Sequence, residues 1–268
     1  FGSVSPAPVL LAFTPEHCRR GCHSRPSGQW IGTGGFILFL NGEDSMARIL
    51  VIAPHPDDDI IGCGGSIALL AQQDHEVVTL YLTSGEAGSL EIDPDQLARI
   101  REDEARKAGR LLGVKEFLFW RQPDGFLRET PELINQLVRL IRARQFSTIY
   151  LPHSQEAHRD HAAAFRIGID ACRRAGGPWF KECGLTPWTV STILGYEVWT
   201  PIQQVNYVQD ITGVMELKIQ ALQQHFSQVS AYDYEDAVRG LNRYRGVTSG
   251  RGTYGEAFCI YQTAEICV

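Results

Sequence analysis

The chain has 268 residues, of which 44% are hydrophobic and 21% are charged, and its formal net charge is −6 at pH 7. This composition is ordinary for a soluble globular protein, and the sequence contains no run of about 18 apolar residues that could span a membrane. The negative net charge and the lack of a basic stripe argue against a nucleic-acid partner.

The seven cysteines are odd in number and irregularly spaced, in a chain long enough to bury a core without crosslinks. We interpret them as reduced thiols and predict a cytoplasmic location. Cys18, Cys22 and His23 resemble half of a structural zinc site, but no second ligand pair follows at a suitable spacing.

Residues 1–45 show no sustained helical or strand periodicity, and they lack the basic start and apolar stretch of a signal peptide. A regular pattern begins at Met46. We therefore interpret residues 1–45 as an extension that is poorly ordered or foreign to the native protein. We predict a single domain over residues 46–268.

From Met46 onwards, apolar strands alternate with amphipathic helices. In chain order, strands are predicted at 49–53, 77–83, 117–120, 148–151, 192–198 and near 207–208, and helices at 62–73, 96–112, 131–144, 161–174 and 214–225, followed by a less regular tail. This alternation predicts an α/β fold with a Rossmann-like, doubly wound, mostly parallel sheet and helices on both of its faces.

In such a sheet the ligand site lies beyond the carboxyl ends of the strands. The first predicted strand is followed by HPDDD at residues 55–59, and the fourth by HSQEAHRDH at residues 153–161. His55 and Asp58 are three residues apart at the start of a helix, as are His158 and His161, so each pair can face the crevice. Together the two segments can place two histidines and one aspartate in the same crevice.

Two imidazoles and a carboxylate form a common donor set of catalytic zinc sites, which leave the remaining coordination to water. Asp57 is then free to act as the general base. We expect His158 to stay uncoordinated and either to orient Asp57 or to stand as an imidazolium beside a developing oxyanion. A structural interpretation is that the acids simply complement a helix dipole, and we assign capping or core roles to His153 and His225.

Together these motifs resemble the LmbE-like or PIG-L family of N-acetylglucosaminyl deacetylases, over about residues 46–259. Further matching features are Gly64-Gly65, Thr83-Ser84-Gly85-Glu86, Arg101-x-x-Glu104, Leu112-Gly113 and Pro123-Asp124-Gly125. The resemblance implies that His55, Asp58 and His161 are the zinc ligands.

By the same resemblance Asp57 is the base, and Arg101 and Asp124 grip the sugar. The implied reaction is metal-dependent removal of an acetyl group from a small N-acetylated amino sugar, with Zn²⁺, or Fe²⁺ or another first-row divalent metal, as the cofactor. For Arg101 a surface ion pair with acids of its own helix is an equal alternative. Whether the protein forms a homo-oligomer is left open.

The sequence also departs from the family pattern. The second motif reads His158-Arg159-Asp160-His161 where His-Pro-Asp-His is common, and the acid run ends in Asp59 where Glu is frequent. A tyrosine that precedes this motif in some members is missing from residues 155–157. The donor to the oxyanion is therefore unassigned.

Three other interpretations of these motifs compete with that of a hydrolase. A magnesium-dependent phosphoryl-transfer site would use the acid cluster, but two histidines favour zinc or another first-row metal. A dinucleotide loop at residues 62–65 lacks the required glycine spacing. A non-catalytic carbohydrate-binding module would not need Asp57 beside the ligands.

A sugar-stacking wall is predicted from Trp179, Phe180 and Trp188, with a role in the core or in subunit contacts as the alternative.

Overall fold

The fold is seen in a computed structural model, which describes residues 46–184, 186–230 and 232–263. The predicted extension at residues 1–45 lies outside the described residues, as do Cys18, Cys22 and Cys267. Over the described part, no helix combines the length and the apolar character that a membrane crossing needs. The four described cysteines are all free.

Seven strands and seven α-helices follow one another along the described chain, with short 3-10 helices at Lys181–Cys183 and Thr212–Val214. The strands are β1 (Arg48–Ala53), β2 (Glu76–Thr83), β3 (Glu116–Gln122), β4 (Thr148–Pro152), β5 (Thr192–Tyr196), β6 (Tyr207–Asp210) and β7 (Gly255–Gln262). The helices are α1 (Asp58–Gln72), α2 (Pro94–Leu111), α3 (Pro131–Arg144), α4 (Arg159–Gly176), α5 (Met215–Leu222), α6 (Phe226–Val229) and α7 (Tyr234–Ser249).

The strands form one sheet in the order β3-β2-β1-β4-β5-β7-β6. The first five are parallel, and β7 runs antiparallel between β5 and β6. From β1 the chain first adds β2 and β3 on one side of the sheet, and it then returns to add β4 and β5 on the other side. The gap between β1 and β4 is therefore the topological switch point of a doubly wound sheet. The predicted Rossmann-like, mostly parallel α/β fold is confirmed.

Helices cover both faces of the sheet because β1 is apolar on both faces. Ile49 and Val51 belong to a core cluster shared with α1 and α5, whereas Leu50 and Ile52 belong to a second cluster shared with α3 and α4. Successive side chains of a strand point to opposite faces, so one uninterrupted apolar run supplies both cores.

The first helix begins at Asp58, four residues earlier than its predicted start at residue 62. Cys63 interrupts it with φ −145° and ψ 21°, which makes a kink. The glycines at 62, 64 and 65 therefore lie inside a helix and do not form a phosphate-binding loop. Gly65 and Ser66 are instead fixed by Glu256, whose carboxylate accepts from their backbone N–H groups at 2.8 and 2.7 Å.

The tail predicted to be irregular contains α7 and β7, so this expectation was wrong. Gly240 and Gly246 lie inside α7 and weaken its helical signal, since glycine is a poor helix former. The tail is integral to the domain, because Glu256 on β7 also accepts from the buried Lys218 of α5 at 2.7 Å. Asn242 of α7 completes this buried network at 2.9 Å from Lys218 Nζ.

Gly62 makes close packing between α1 and β5 possible, and its substitution tests this contact. A Cβ atom at Gly62 would lie 2.2 Å from Cδ2 of Tyr196, a fully buried ring whose hydroxyl donates to Ile52 O at 2.8 Å. We expect Gly62→Ala to lower the free energy of unfolding by about 1–3 kcal/mol in chemical denaturation, because the ring cannot move away.

Gly240→Ala is the matched control, since nothing lies within 4 Å of a Cβ atom added at this exposed helical position. It should leave stability unchanged or raise it by up to about 1 kcal/mol. Equal effects of the two substitutions would show that the contact with Tyr196 does not limit the packing.

Candidate active site

The two motif segments meet at the carboxyl edge of the sheet because β1 pairs directly with β4. The His55 ring centroid lies 5.3 Å from that of His161 and 5.1 Å from that of His158. His158 and His161 are 4.8 Å apart by the same measure. Three histidines predicted from two distant segments are therefore brought together.

Asp58 lies between two of these histidines. Its Oδ2 atom is 3.0 Å from His55 Nδ1 and 3.2 Å from His161 Nε2. Burial by itself would raise the pKa of Asp58, but His161 and His55 hold it well below its ordinary range. Burial likewise opposes protonation of His161, yet Asp58 raises the pKa of this ring to about 9.

The buried nitrogens of His161 fit a metal site. Among the described residues neither ring nitrogen has a hydrogen-bond partner of acceptable geometry, although the side chain is fully buried. Buried polar groups are normally satisfied, so an unsatisfied imidazole next to a carboxylate and a second imidazole suits a cation. The nitrogen and oxygen donors are those that zinc and other first-row divalent metals prefer.

A second set of possible ligands overlaps this one at His55. Its Nε2 atom lies 3.0 Å from Asp124 Oδ1 and 3.4 Å from Asp160 Oδ2, and these three residues form a possible metal group of their own. Asp160 also accepts from the backbone N–H groups of Gly125 and Leu127 at 2.7 and 3.2 Å. We interpret Asp160 as the support of the loop that holds Asp124 against His55.

Asp57 has a backbone conformation that L-residues rarely adopt, with φ 127° and ψ −29° at the N-cap of α1. Such a conformation costs about 1–3 kcal/mol and is concentrated at functional sites. Burial raises the pKa of its carboxyl to about 7, against the lowering effect of Arg101. A carboxylate with a pKa near neutrality is suited to general base catalysis.

Arg101 reaches this carboxylate from α2. Its Nη2 atom donates to Asp57 Oδ2 at 3.2 Å and to Pro56 O at 2.7 Å, while Nη1 donates to Gly85 O at 3.1 Å. The guanidinium is buried, so the alternative of a surface ion pair with acids of its own helix was wrong. Gly85 has φ 65°, and a Cβ atom there would lie 2.2 Å from Arg101, which explains why this loop needs glycine.

These groups line a cavity of about 300 Å³, which is near the lower end of the usual range for small-molecule sites. Six of the seven residues predicted for the site line it: His55, Asp57, Asp58, Arg101, Asp124 and His158. His161 lies behind them, fully buried. The remaining lining includes two large aromatic side chains, Trp199 and Tyr234, which the sequence analysis did not select.

Glu156 is a further residue that the sequence analysis missed. Its Oε2 atom faces His161 Nδ1 at 3.6 Å, and neither buried atom has a hydrogen-bond partner among the described residues. Its Oε1 atom accepts from three consecutive backbone N–H groups, at 2.8, 3.0 and 3.2 Å, which belong to Val198, Trp199 and Thr200. In the sequence, only the position of Glu156 within residues 153–161 indicated that it lies near the ligands.

The two histidines assigned to structural roles differ from each other. His153 Nε2 lies 2.7 Å from Thr200 O and so helps to hold the same loop. His225 is fully buried, and neither of its ring nitrogens has a described hydrogen-bond partner. Burial, together with the charge of Arg101, lowers the pKa of His225 to about 3.

The predicted aromatic wall does not lie at the cavity. Phe180 and Trp188 pack against the core on the α3 and α4 side, and Trp188 Nε1 donates to Phe146 O at 2.7 Å. Trp179 is exposed and is absent from the described lining of the cavity. The alternative of a core role is therefore the right one for Phe180 and Trp188.

The fold and the cluster together define the class of this protein. It is an α/β protein with a doubly wound sheet, and a candidate metal site of histidine and aspartate side chains lies at the carboxyl ends of its central strands. The profile of the family described as "PIG-L: GlcNAc-PI de-N-acetylase" matches residues 50–172, a stretch that includes both motifs. A deacetylase that is 33% identical over 77% of this chain matches it as well, so the chain belongs to this family, as the motifs predicted.

Two relatives show what kinds of protein resemble this chain. The diacetylchitobiose deacetylase of Thermococcus kodakarensis is 33% identical over 219 residues, which cover 77% of this chain and 80% of that protein. The 1D-myo-inositol 2-acetamido-2-deoxy-alpha-D-glucopyranoside deacetylase of Kineococcus radiotolerans is 27% identical, with 79% of this chain and 76% of that protein covered.

A solved structure is similar to this chain in both fold and sequence. The N,N'-diacetylchitobiose deacetylase from Pyrococcus horikoshii, complexed with its inhibitor MPG, superposes with a TM-score of 0.73 and 31% identity. The match covers 80% of this chain and 83% of that chain.

The buried neutral ring of His225 predicts a pH-dependent stability. The unfolded chain takes up a proton on this ring as the pH falls below about 6.5, but the folded protein does not do so until about pH 3. The contribution of this ring to the free energy of unfolding is therefore complete above about pH 6.5. Below this pH it decreases by up to about 1.4 kcal/mol per pH unit. His225→Leu, which cannot take up the proton, should lack this part of the slope.

The measurement is the free energy of unfolding of both proteins between about pH 6 and about pH 4. Wild type should lose stability more steeply than the variant as the pH falls. Parallel slopes would mean that His225 does not enter the folded state as a neutral ring.

Proposed function

We propose that the protein is a zinc-dependent N-deacetylase that removes the acetyl group from an N-acetylated amino sugar, an N-acetylglucosamine conjugate. The observation that carries this proposal is the convergence of His55 Nδ1 and His161 Nε2 on one oxygen of Asp58. The relatives named as deacetylases support the choice of an acetamide as the scissile group.

His55, Asp58 and His161 would hold the metal. A divalent ion in this donor set supplies a Lewis acid, which polarises the acetamide carbonyl and lowers the pKa of water. Zinc suits two imidazoles and one carboxylate, and iron or another first-row metal is the alternative. An all-oxygen magnesium site would not suit the two histidines, which argues against phosphoryl transfer.

Asp57 handles the proton in this proposal. Its carboxylate takes a proton from the water that attacks the carbonyl carbon, and it returns a proton to the amide nitrogen as the C–N bond breaks. The products are acetate and the free amine. Arg101 fixes the carboxylate at 3.2 Å and limits how far burial can raise its pKa. A non-catalytic sugar-binding module would have no use for this strained, buried acid.

His158 is the candidate donor to the oxyanion. Burial and the two neighbouring histidines lower its pKa, which favours the neutral imidazole over the imidazolium. Its Nδ1 atom accepts from Asp160 N at 3.3 Å, which leaves the proton on Nε2. A neutral Nε2–H group that lines the cavity can donate to the carbonyl oxygen as charge develops on it.

Arg101 and Asp124 are proposed to grip the sugar, since both line the cavity. Arg101 does so while it positions Asp57, and Asp124 is held by the backbone N–H of Ala87, from which it accepts at 3.0 Å. The cytoplasmic location stays a prediction.

Metal analysis combined with amine release from N-acetylglucosamine conjugates tests the mechanism. Asp57→Ala should keep its metal and lose about 10²–10⁴-fold in kcat, because it removes the general base. His161→Ala should lose both metal and activity. Full activity of metal-stripped wild type would overturn the proposal, and recovery with zinc, iron and manganese in turn would identify the preferred ion.

Glu156→Gln tests whether the carboxylate beside His161 orients this ligand. The glutamine side chain retains a carbonyl oxygen for the backbone N–H groups of residues 198–200 but places no charge against His161 Nδ1. We expect metal affinity to fall about 10–100-fold, as is typical when the outer partner of a ligand histidine is changed. The readout is competition with a chromogenic chelator.

Asp170→Asn is a suitable control, because Asp170 lies on α4 far along the helix from His161 and pairs only with Arg174, at 2.7 Å, among the ion pairs described. An unchanged metal affinity in Glu156→Gln would mean that the 3.6 Å approach has no role in metal binding.

A further inference from the structure

Glu104, Ser227 and Gln228 form a chain of hydrogen bonds that ends at the cavity. The carboxylate of Glu104 on α2 accepts from Ser227 N at 2.8 Å and from the Ser227 hydroxyl at 2.6 Å. The Gln228 amide in turn donates from Nε2 to Ser227 Oγ at 3.2 Å. Glu104 is buried and Gln228 lines the cavity, so the chain connects an interior carboxylate with the site.

The donors and acceptors of this chain fix which end of the Gln228 amide is available to a ligand. A carboxylate only accepts hydrogen bonds, so the single proton of the Ser227 hydroxyl is committed to Glu104. Ser227 Oγ can then only accept, which directs the NH2 end of the amide towards it. The carbonyl oxygen Oε1 remains, and it accepts no hydrogen bond from the described residues.

The Gln228 carbonyl oxygen lies near Arg101, with Gly88 between them. A Cβ atom at Gly88 would lie 3.6 Å from Gln228 Oε1 and 2.9 Å from Arg101 Nη1. All three residues line the cavity. Because residue 88 has no side chain, an acceptor and a donor face the same space. This pair suits a hydroxyl group, which donates one hydrogen bond and accepts another.

One face of α2 supports both members of this pair. Arg101 and Glu104 are three residues apart, so their side chains leave the helix on the same side. Arg101 reaches the catalytic carboxylate, and Glu104 reaches the segment that carries Gln228. The fully buried His225 anchors this segment, since its backbone carbonyl accepts from Gln228 N at 2.9 Å. An acceptor held in this way loses little conformational freedom when a ligand binds.

We propose that Gln228 is a specificity-determining residue, whose carbonyl oxygen accepts a hydrogen bond from one hydroxyl group of the sugar in the cavity. Glu104 and Ser227 are positioning residues, because they act through the orientation of the Gln228 amide. The inference rests on the proposed deacetylase function and deepens it, since it names how a hydroxyl group of the substrate is recognised. The contact is present in ground state and transition state alike, so it lowers KM more than it changes kcat.

Hydroxyl-deletion kinetics test the role of Gln228. Amine release is measured with metal-loaded protein from the methyl glycoside of N-acetylglucosamine and from derivatives that lack the hydroxyl group at C3, C4 or C6. Gln228→Leu should lower kcat/KM for the parent sugar about 5–10-fold, mainly through KM, because one hydrogen bond is lost. For the derivative that lacks the recognised hydroxyl group, wild type should already show this loss, and the variant should add little to it.

Gln224→Ala is the matched control, because it removes a glutamine of the same segment that is outside the described lining of the cavity. It should keep the wild-type kinetics on every sugar. Losses that add for all three derivatives, or unchanged kinetics of Gln228→Leu on the parent sugar, would overturn the proposal.

A pair of substitutions at Ser227 tests the positioning. Ser227→Ala removes the oxygen that holds the amide, so it should reproduce much of the Gln228→Leu loss and spare the same derivative. Ser227→Thr keeps a hydroxyl group and should retain most of the wild-type selectivity. Asp103→Asn is the control on α2, since this carboxylate pairs with Lys107 at 2.7 Å on the surface. An equal loss on every sugar in Ser227→Ala would contradict the positioning role.

A binding measurement separates this inference from the proposed function. Calorimetric titration of metal-loaded Asp57→Ala, which should not turn the sugars over, measures affinity by itself. Adding Gln228→Leu should weaken binding of the parent sugar about 5–10-fold and leave the affinity for one derivative unchanged. This pattern without hydrolysis by wild type would support Gln228 and refute the deacetylase. Hydrolysis without the pattern would refute Gln228 alone, and the absence of both hydrolysis and binding would refute both.

Discussion

The direct pairing of β1 with β4 is the constraint on which the site depends. Each strand is followed by one half of the metal-type cluster, so that residues far apart in sequence meet at the carboxyl edge of the sheet. The chain order changes direction at this point, which opens a crevice where loops from both halves of the sheet converge. A different neighbour for β1 would separate His55 from His161, whatever the local structure of either segment.

The crevice holds charged side chains in a buried environment, where an unpaired charge is energetically unfavourable. Asp57, Asp58 and Arg101 are all buried, and each depends on an oppositely charged or imidazole partner. Removal of one partner from such a cluster leaves an uncompensated charge, which is strongly destabilising. The two apolar cores on either face of β1 supply the stability that this arrangement and the strained backbone of Asp57 require.

Glu156 connects the two regions of the binding surface. One of its oxygens faces the imidazole of His161, and the other fixes the backbone loop that carries Trp199. His161 and the cavity wall at Trp199 are therefore positioned relative to one buried carboxylate. Rigid support of this kind keeps catalytic groups within the narrow geometric limits that rate acceleration demands.

The sequence by itself determined the fold class, the order of the elements as far as β6 and the residues of the metal-type cluster. Alternating apolar runs and helical periodicity are local signals, and the helix at residues 131–144 was predicted to its exact ends. The motif spacing likewise singled out His55, Asp58 and His161 as candidate ligands, and their side chains lie within 3.0–3.2 Å of one another through Asp58. The bounds of α1 and the elements of the tail were missed, since the glycines within α1 and α7 weaken the local pattern.

Only the tertiary structure decided the positive φ of Asp57, the approach of Glu156 to His161 and the position of Trp199 and Tyr234 at the cavity. These features arise between segments that are distant in sequence, such as residues 156 and 198–200, where no periodicity connects the partners. The aromatic wall was consequently expected in the wrong loop, because composition shows that aromatic residues are present but not which surface they reach.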